Sequence, residues 1–200
     1  MQLFHSPASP FVRKVVVTLH ETGQTGDVEF LAVATTPVNS APEILAHNPT
    51  GKIPALTRPD GPALYDSRVI CRYLDARAGG KLYPESRIWD TLTLEATADA
   101  IMDAAVLMIY ERRIRPVEKQ SDDWIEAQWG KVARAIGAVN TRWMSHLNGP
   151  LDMGQISIGC ALGYLDFRHE ARDWRIGNDA LAKWYETFAL RPAMQATKPD

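Results

Sequence analysis

Residues 2–33 restrict the fold more than any other stretch of this chain. Gln2 to His5 reads as a short strand. Val12, Val15, Val16 and Leu19 then recur at i, i+3, i+4 and i+7, which is one face of a helix. Gly23 and Gly26 stop that helix. Asp27 to Val33 brings Val, Phe, Leu and Val together, a β-branched and aromatic run suited to a second strand. Two strands joined through a helix run parallel, so the chain opens with a β-α-β unit.

The pattern continues in short elements. Thr35 to Asn48 is polar and proline-marked, with one short helix expected at Pro42 to His47. Pro54 to Arg58 and Ala63 to Tyr65 read as two strands around Asp60-Gly61, a hairpin dipeptide. Asp66-Ser67 starts another helix, with Val69, Ile70, Tyr73 and Leu74 as its apolar positions. The predicted order is β-α-β-α-β-β-α over residues 1–78, and residues 79–86 read as a linker.

Beyond that linker, over residues 87–200, the character is helical. Ala98, Ile101, Met102, Ala105 and Ile109 form one stripe. Ile125, Trp129, Val132, Ile136, Val139, Trp143 and Leu147 form a longer one, broken by Asn148-Gly149-Pro150. Ile158, Ala161, Leu162 and Leu165 open a third helix; Leu181, Trp184, Tyr185 and Phe188 form the last. Alternating spacings of three and four suit helix-on-helix packing. The expected fold class is therefore a small α/β domain followed by an all-α domain.

Composition narrows the function classes. The net charge of −2 is spread among intermixed signs, which argues against nucleic acid or a membrane surface as partner. No run of about 18 apolar residues exists to span a bilayer, and the N-terminal stretch lacks a signal-peptide pattern. Cys71 and Cys160 are far apart with no CxxC, which favours a reducing, cytoplasmic setting and buried core positions. His5, His20, His47, His146 and His169 lack metal-ligand spacing, so no metal is expected.

Three stretches can carry chemistry. In "HSPASPFVRK", Ser9 precedes Pro10, the pairing of an N-cap residue with a first-turn proline. The same place is positive, because free N–H groups and the helix dipole point there, and it would stabilise a thiolate. In "NPTGKIPAL", Lys52-Ile53-Pro54 enters a strand. An X-Pro bond is ordinarily trans; a cis bond would turn the Ile53 backbone outward to pair with a peptide ligand. In "LYDSRVICRYL", Asp66-Ser67 starts a helix, either as caps or as the holder of an amino-acid head group. Glu111 to Arg115 reads either as a patch for an anionic substrate or, more commonly for such a run, as a solvated helix end whose basic groups complement the dipole.

Taken together along essentially the whole chain, these motifs resemble the cytosolic glutathione S-transferases, in particular the bacterial-like serine type. The resemblance implies a thioredoxin-like N-terminal domain that binds glutathione and a helical C-terminal domain that forms the second-substrate pocket. It implies that Ser9 hydrogen-bonds the glutathione sulfur as the catalytic residue, with Ser6 as its rival. It further implies that Ile53, before a cis Pro54, pairs with the glutathione backbone. On the same resemblance Asp66 and Ser67 hold the γ-glutamyl group and Lys52 meets the glycyl carboxylate. Phe11 and Met102 are the candidate second-substrate contacts. Glutathione is then a co-substrate, the other partner is a small electrophile, and a homodimer is expected. One departure lies at "DMGQ", where Asp152 and Gln155 stand in place of the family's usual Ser/Thr-x-x-Asp and would form a capping box. Two alternatives remain: a non-catalytic glutathione-binding or protein-interaction member of the fold, and a glutathione-dependent thiol reductase. The reductase would want cysteine where Ser9 stands.

Overall fold

A computed structural model describes residues 1–199. The chain divides into two compact units, Met1–Ile88 joined by the residues from Ala196 onward, and Trp89–Gln195. Arg13 Nε donates to Thr197 Oγ1 at 3.4 Å, which ties the chain end to the first unit.

The first unit is thioredoxin-like. Its elements are β1 (Gln2–His5), α1 (Pro10–Glu21), β2 (Glu29–Ala32), α2 (Pro42–Leu45), β3 (Ala55–Arg58), β4 (Gly61–Leu64) and α3 (Ser67–Arg77). The four-stranded sheet has the order β2-β1-β3-β4. β1 runs parallel to β2 and antiparallel to β3, and β3 runs antiparallel to β4. Side chains alternate across a strand, yet Leu3 and Phe4 of β1 are both buried. The sheet is therefore covered on both faces. Phe4 sits opposite Ala55 and clusters with Ile44 of α2. Leu3 sits opposite Leu56 on the other face, the side on which α1 and α3 pack together.

Several local details differ from the sequence reading. The hairpin turns on Pro59-Asp60, because Arg58 already pairs with Gly61. Proline presets the φ of a turn's first central residue, so β4 begins two residues before the expected Ala63. On α3 the inward positions are Ile70, Cys71 and Leu74, whereas Val69 is 46% exposed. The stretch read as a linker is tied down: the buried Asp75 carboxylate accepts from the N–H groups of Lys81 (2.9 Å), Leu82 (2.8 Å) and Tyr83 (3.3 Å).

The second unit is helical: α4 (Ile88–Arg113), α5 (Asp122–Arg142), α6 (Met144–Leu147), α7 (Met153–His169), α8 (Asp179–Phe188) and α9 (Pro192–Ala196). The long stripe ending at Leu147 is two helices, since α5 stops at Arg142 and Leu147 belongs to α6. α7 is buried nearly all round, as a central helix must be. A Cβ on Gly159 would lie 2.5 Å from Phe188 Cε1, so glycine lets the α8 end close on α7.

Asp152 caps α7 and does more. Its Oδ1 accepts from Gln155 N–H at 3.2 Å, and its Oδ2 contacts Thr91 Oγ1 (2.9 Å) and His146 Nε2 (2.7 Å). Only half of the expected capping box forms. The Gln155 side chain donates instead to the carbonyls of His146, Gly149 and Pro150. Among the described residues no helix is long and apolar enough to cross a membrane. Nor do three or more His, Cys, Asp or Glu side chains gather to hold a metal.

Candidate functional site

Strand register brings the three predicted stretches together. Phe4 pairs with Ala55, so the C-terminal end of β1 lies beside the start of β3. Leu56 pairs with Leu64, so the end of β4 lies beside that same start. The β1–α1 connection with Ser9, the Ile53–Pro54 entry to β3 and the Asp66–Ser67 start of α3 therefore share one end of the sheet. α1 and α3 both begin there, so two positive helix N-termini converge.

Ser9 is the N-cap of α1, with extended backbone and Pro10 in the first turn. Its Oγ accepts from Val12 N–H at 3.3 Å. Acceptance uses an oxygen lone pair and leaves the hydroxyl proton available to donate. Capping and donation to a ligand are thus compatible in one side chain. Ser6 lies one turn earlier, where its carbonyl accepts from Ser9 N–H at 3.1 Å. Phe11, the second residue of α1, is half-buried.

The peptide bond Ile53–Pro54 is cis. The Ile53 side chain packs on the Phe4–Ile44–Ala55 cluster, which anchors the residue while its backbone lies outside the β1–β3 ladder. An extended peptide can add to such a backbone edge as a further strand. Lys52, beside it, is exposed.

The loop that presents these residues is held by Asn48, which sequence reading took only as a turn signal. Asn48 is 2% exposed. Its Nδ2 donates to Lys52 C=O at 2.8 Å, and its Oδ1 accepts from Thr50 N–H (3.0 Å) and Thr50 Oγ1 (2.8 Å). Thr35 Oγ1 donates to Gly51 C=O at 2.8 Å. Gly51 has φ +68°, and a Cβ there would lie 2.3 Å from Ser40 Oγ.

Asp66 and Ser67 stand together at the start of α3. Asp66 is the cap of α3, accepting from Arg68 N–H at 3.1 Å and from Arg68 Nη2 at 2.8 Å. Partial burial pushes the Asp66 carboxyl up, but the hydrogen bonds and charge of Arg68, with help from Lys14, hold it below the usual carboxylate range. Asp66 remains anionic, and any ammonium bound there shares it with Arg68. Ser67, the first residue of α3, is 2% exposed. Its side chain makes no hydrogen bond among the described residues, and its N–H belongs to a first helical turn without an intrahelical acceptor. An anion such as a carboxylate suits both donors.

Met102 corrects the sequence expectation. It has no accessible surface, because it faces the core from the middle of α4. Burial leaves it nothing to offer a second substrate.

Comparison with known proteins agrees with this geometry. The glutathione S-transferase N-terminal domain family matches residues 3–82, and the glutathione S-transferase C-terminal domain family matches residues 122–187. A glutathione transferase family member from Pseudomonas fluorescens Pf-5, solved with bound glutathione, is 46% identical over 100% of this chain and 98% of its own, with a TM-score of 0.96. The same relative has also been solved with S-(propanoic acid)-glutathione. The uncharacterized GST-like protein YibF of Escherichia coli is 30% identical, covering 100% of this chain and 98% of its own. Glutathione S-transferase 3 of Zea mays is 29% identical, covering 98% and 92%. Family models match both halves of the chain, and a relative covers it from end to end: the chain belongs to the glutathione S-transferase family.

Proposed function

We propose that the protein is a serine-type glutathione transferase. The observation that carries this is the convergence, at one end of the sheet, of two helix N-termini that each present a serine, beside Ile53, whose backbone lies outside the β1–β3 ladder. The bound glutathione of the Pseudomonas fluorescens relative supports the ligand assignment. In this reading Ser67, through its hydroxyl and N–H, holds the γ-glutamyl carboxylate, and Asp66 faces the ammonium. Ile53 pairs with the tripeptide backbone before the cis Pro54. Lys52 meets the glycyl carboxylate. Ser9 donates its hydroxyl proton to the sulfur.

The chemistry follows from the charge on that sulfur. A hydrogen bond to a charged group contributes about 1.5–3 kcal/mol, which corresponds to about one to two pKa units. The dipole of α1 adds to it. The thiolate then gives its electron pair to an electrophilic carbon. A carbon–sulfur bond forms, and the leaving group departs with the bonding pair. Holding both reactants raises their effective concentration. No covalent bond to the protein is made. Detoxification of small electrophiles and a homodimeric assembly belong to the same reading.

Calorimetric titration of glutathione into wild type and Ser67→Ala, with a conjugation assay on 1-chloro-2,4-dinitrobenzene run in parallel, tests it. Wild type binds and conjugates, and Ser67→Ala binds at least tenfold more weakly. Absence of binding by folded wild type removes the reading. Binding without conjugation of any electrophile replaces it with a glutathione-binding, non-catalytic role.

A further inference from the structure

Arg68 engages both oxygens of Asp66. Asp66 Oδ1 accepts from the Arg68 N–H at 3.1 Å and from Arg68 Nε at 3.4 Å, and Oδ2 accepts from Arg68 Nη2 at 2.8 Å. One carboxylate therefore caps α3 and pairs with a guanidinium two residues away. The pairing is the planar, two-point kind that arginine makes with carboxylates.

A second cation lies on the neighbouring helix. Lys14 of α1 has no accessible surface. Thr18 Oγ1 donates to Cys71 Sγ at 3.4 Å, which sets the register between α1 and α3. Both helices begin at the same sheet end, so one turn earlier on each brings Lys14 level with the buried Ser67. The charge of Lys14 acts on Asp66, as that of Arg68 does.

The groups at this helix start that remain for a ligand are donors. The Ser67 hydroxyl makes no hydrogen bond among the described residues, and the Ser67 N–H lies in a first turn without an intrahelical acceptor. Both suit a carboxylate. An ammonium brought to Asp66 meets the Arg68 guanidinium alongside it. Attraction by one charge is then offset by repulsion from the other.

We propose that Arg68 is a specificity-determining residue: it neutralises Asp66 toward the ligand amine, so the γ-glutamyl group is recognised by its α-carboxylate, and γ-acyl thiols that lack the ammonium bind as well as glutathione. The inference rests on the transferase reading above and refines the part of Asp66 in it. In the competing arrangement the incoming ammonium displaces Arg68, whose pair with Asp66 is half-exposed and weakened by solvent.

Calorimetry with three thiols separates the two: glutathione, glutaryl-cysteinylglycine, which lacks only the ammonium, and 4-aminobutanoyl-cysteinylglycine, which lacks only the α-carboxylate. Wild type binds the glutaryl compound within about threefold of glutathione and the aminobutanoyl compound at least tenfold more weakly. Arg68→Met keeps the cap, because the cap is made to the backbone N–H, and releases the Asp66 charge. Its preference for glutathione over the glutaryl compound is at least threefold larger than that of wild type. Arg68→Gln, a second neutral side chain, behaves alike. Ratios are taken within each protein, so a general loss of affinity cancels. Wild type that binds glutathione but loses more than threefold without the ammonium, or less than tenfold without the carboxylate, overturns this inference alone. So does a preference unchanged in the folded Arg68 variants. Wild type that binds none of the three thiols overturns the transferase reading and this inference with it.

Discussion

Asn48→Ala is the most informative perturbation of the loop that presents Lys52 and Ile53. The side chain makes three hydrogen bonds, one to Lys52 C=O and two from Thr50. Thr50 is exposed, so water takes over the two bonds it donates to Asn48 Oδ1, and each contributes only about 0.5 kcal/mol. The Lys52 carbonyl is partly buried, and leaving it unmatched costs about 1–2 kcal/mol. The sum is about 2–3 kcal/mol. With a urea slope of about 2 kcal/mol per molar, the unfolding midpoint falls by about 1 M. Asn48→Asp separates the contributions. It keeps the acceptor for Thr50 but sets a carboxylate oxygen against the Lys52 carbonyl. The aspartate variant is therefore expected to be at least as unstable as the alanine variant, and both are expected to bind glutathione more weakly. Urea unfolding and calorimetry measure the two effects. If both variants stay within about 0.5 kcal/mol of wild type, or bind glutathione normally after losing stability, Asn48 does not position Lys52 and Ile53.

Three further perturbations follow from the same structure. Gly51→Ala meets a φ of +68° and a contact of 2.3 Å with Ser40 Oγ; a loss of about 2 kcal/mol is expected. Ser40→Gly in a double-mutant cycle recovers the steric share but not the backbone share. Asp152→Ala removes the α7 cap and the contacts with Thr91 and His146, for a loss of about 3 kcal/mol in calorimetric unfolding; Asp152→Asn keeps the cap and loses less. His169 is lowered in the fold by burial, which outweighs its bond to Ala105 C=O. The unfolded chain then takes the proton first as pH falls. Its stability contribution is full above about pH 6.5 and declines through and below that value. Urea midpoints at pH 7.5 and 5.5 are expected to differ more for wild type than for His169→Gln.

Element order was legible in the sequence because periodicity switches cleanly between strand and helix. Val12, Val15 and Leu19 are buried where their spacing put them, whereas Val16 is only half-buried and Val17 takes the core position beside it. Details that depend on neighbours were not legible. Val69, read as an apolar position of α3, is 46% exposed, whereas Cys71, expected in the core, is buried there. Pro59 displaced the turn from Asp60-Gly61, since a preset φ outweighed the dipeptide preference. Met102 was weighed as a ligand contact and proved to be core, because a methionine in an apolar stripe carries no mark of which side it faces. Asn48 was missed for a related reason. A turn former and a buried hydrogen-bonding staple are the same residue in sequence, and only its 2% exposure distinguishes them. Ser9 was the opposite case: the cap was visible, and the geometry adds that capping leaves its proton free to donate.

The central claim is that the Ser9 hydroxyl stabilises the glutathione thiolate. Ultraviolet difference titration of bound glutathione in wild type and Ser9→Ala measures this directly, with thermal unfolding as the control for the lost cap of about 1 kcal/mol. The account predicts a bound thiol pKa below the ordinary range near 8.5 in wild type, and a rise of about one to two units in the variant. The same thiol pKa in both folded proteins would contradict it, and would leave Ser9 as a helix cap alone.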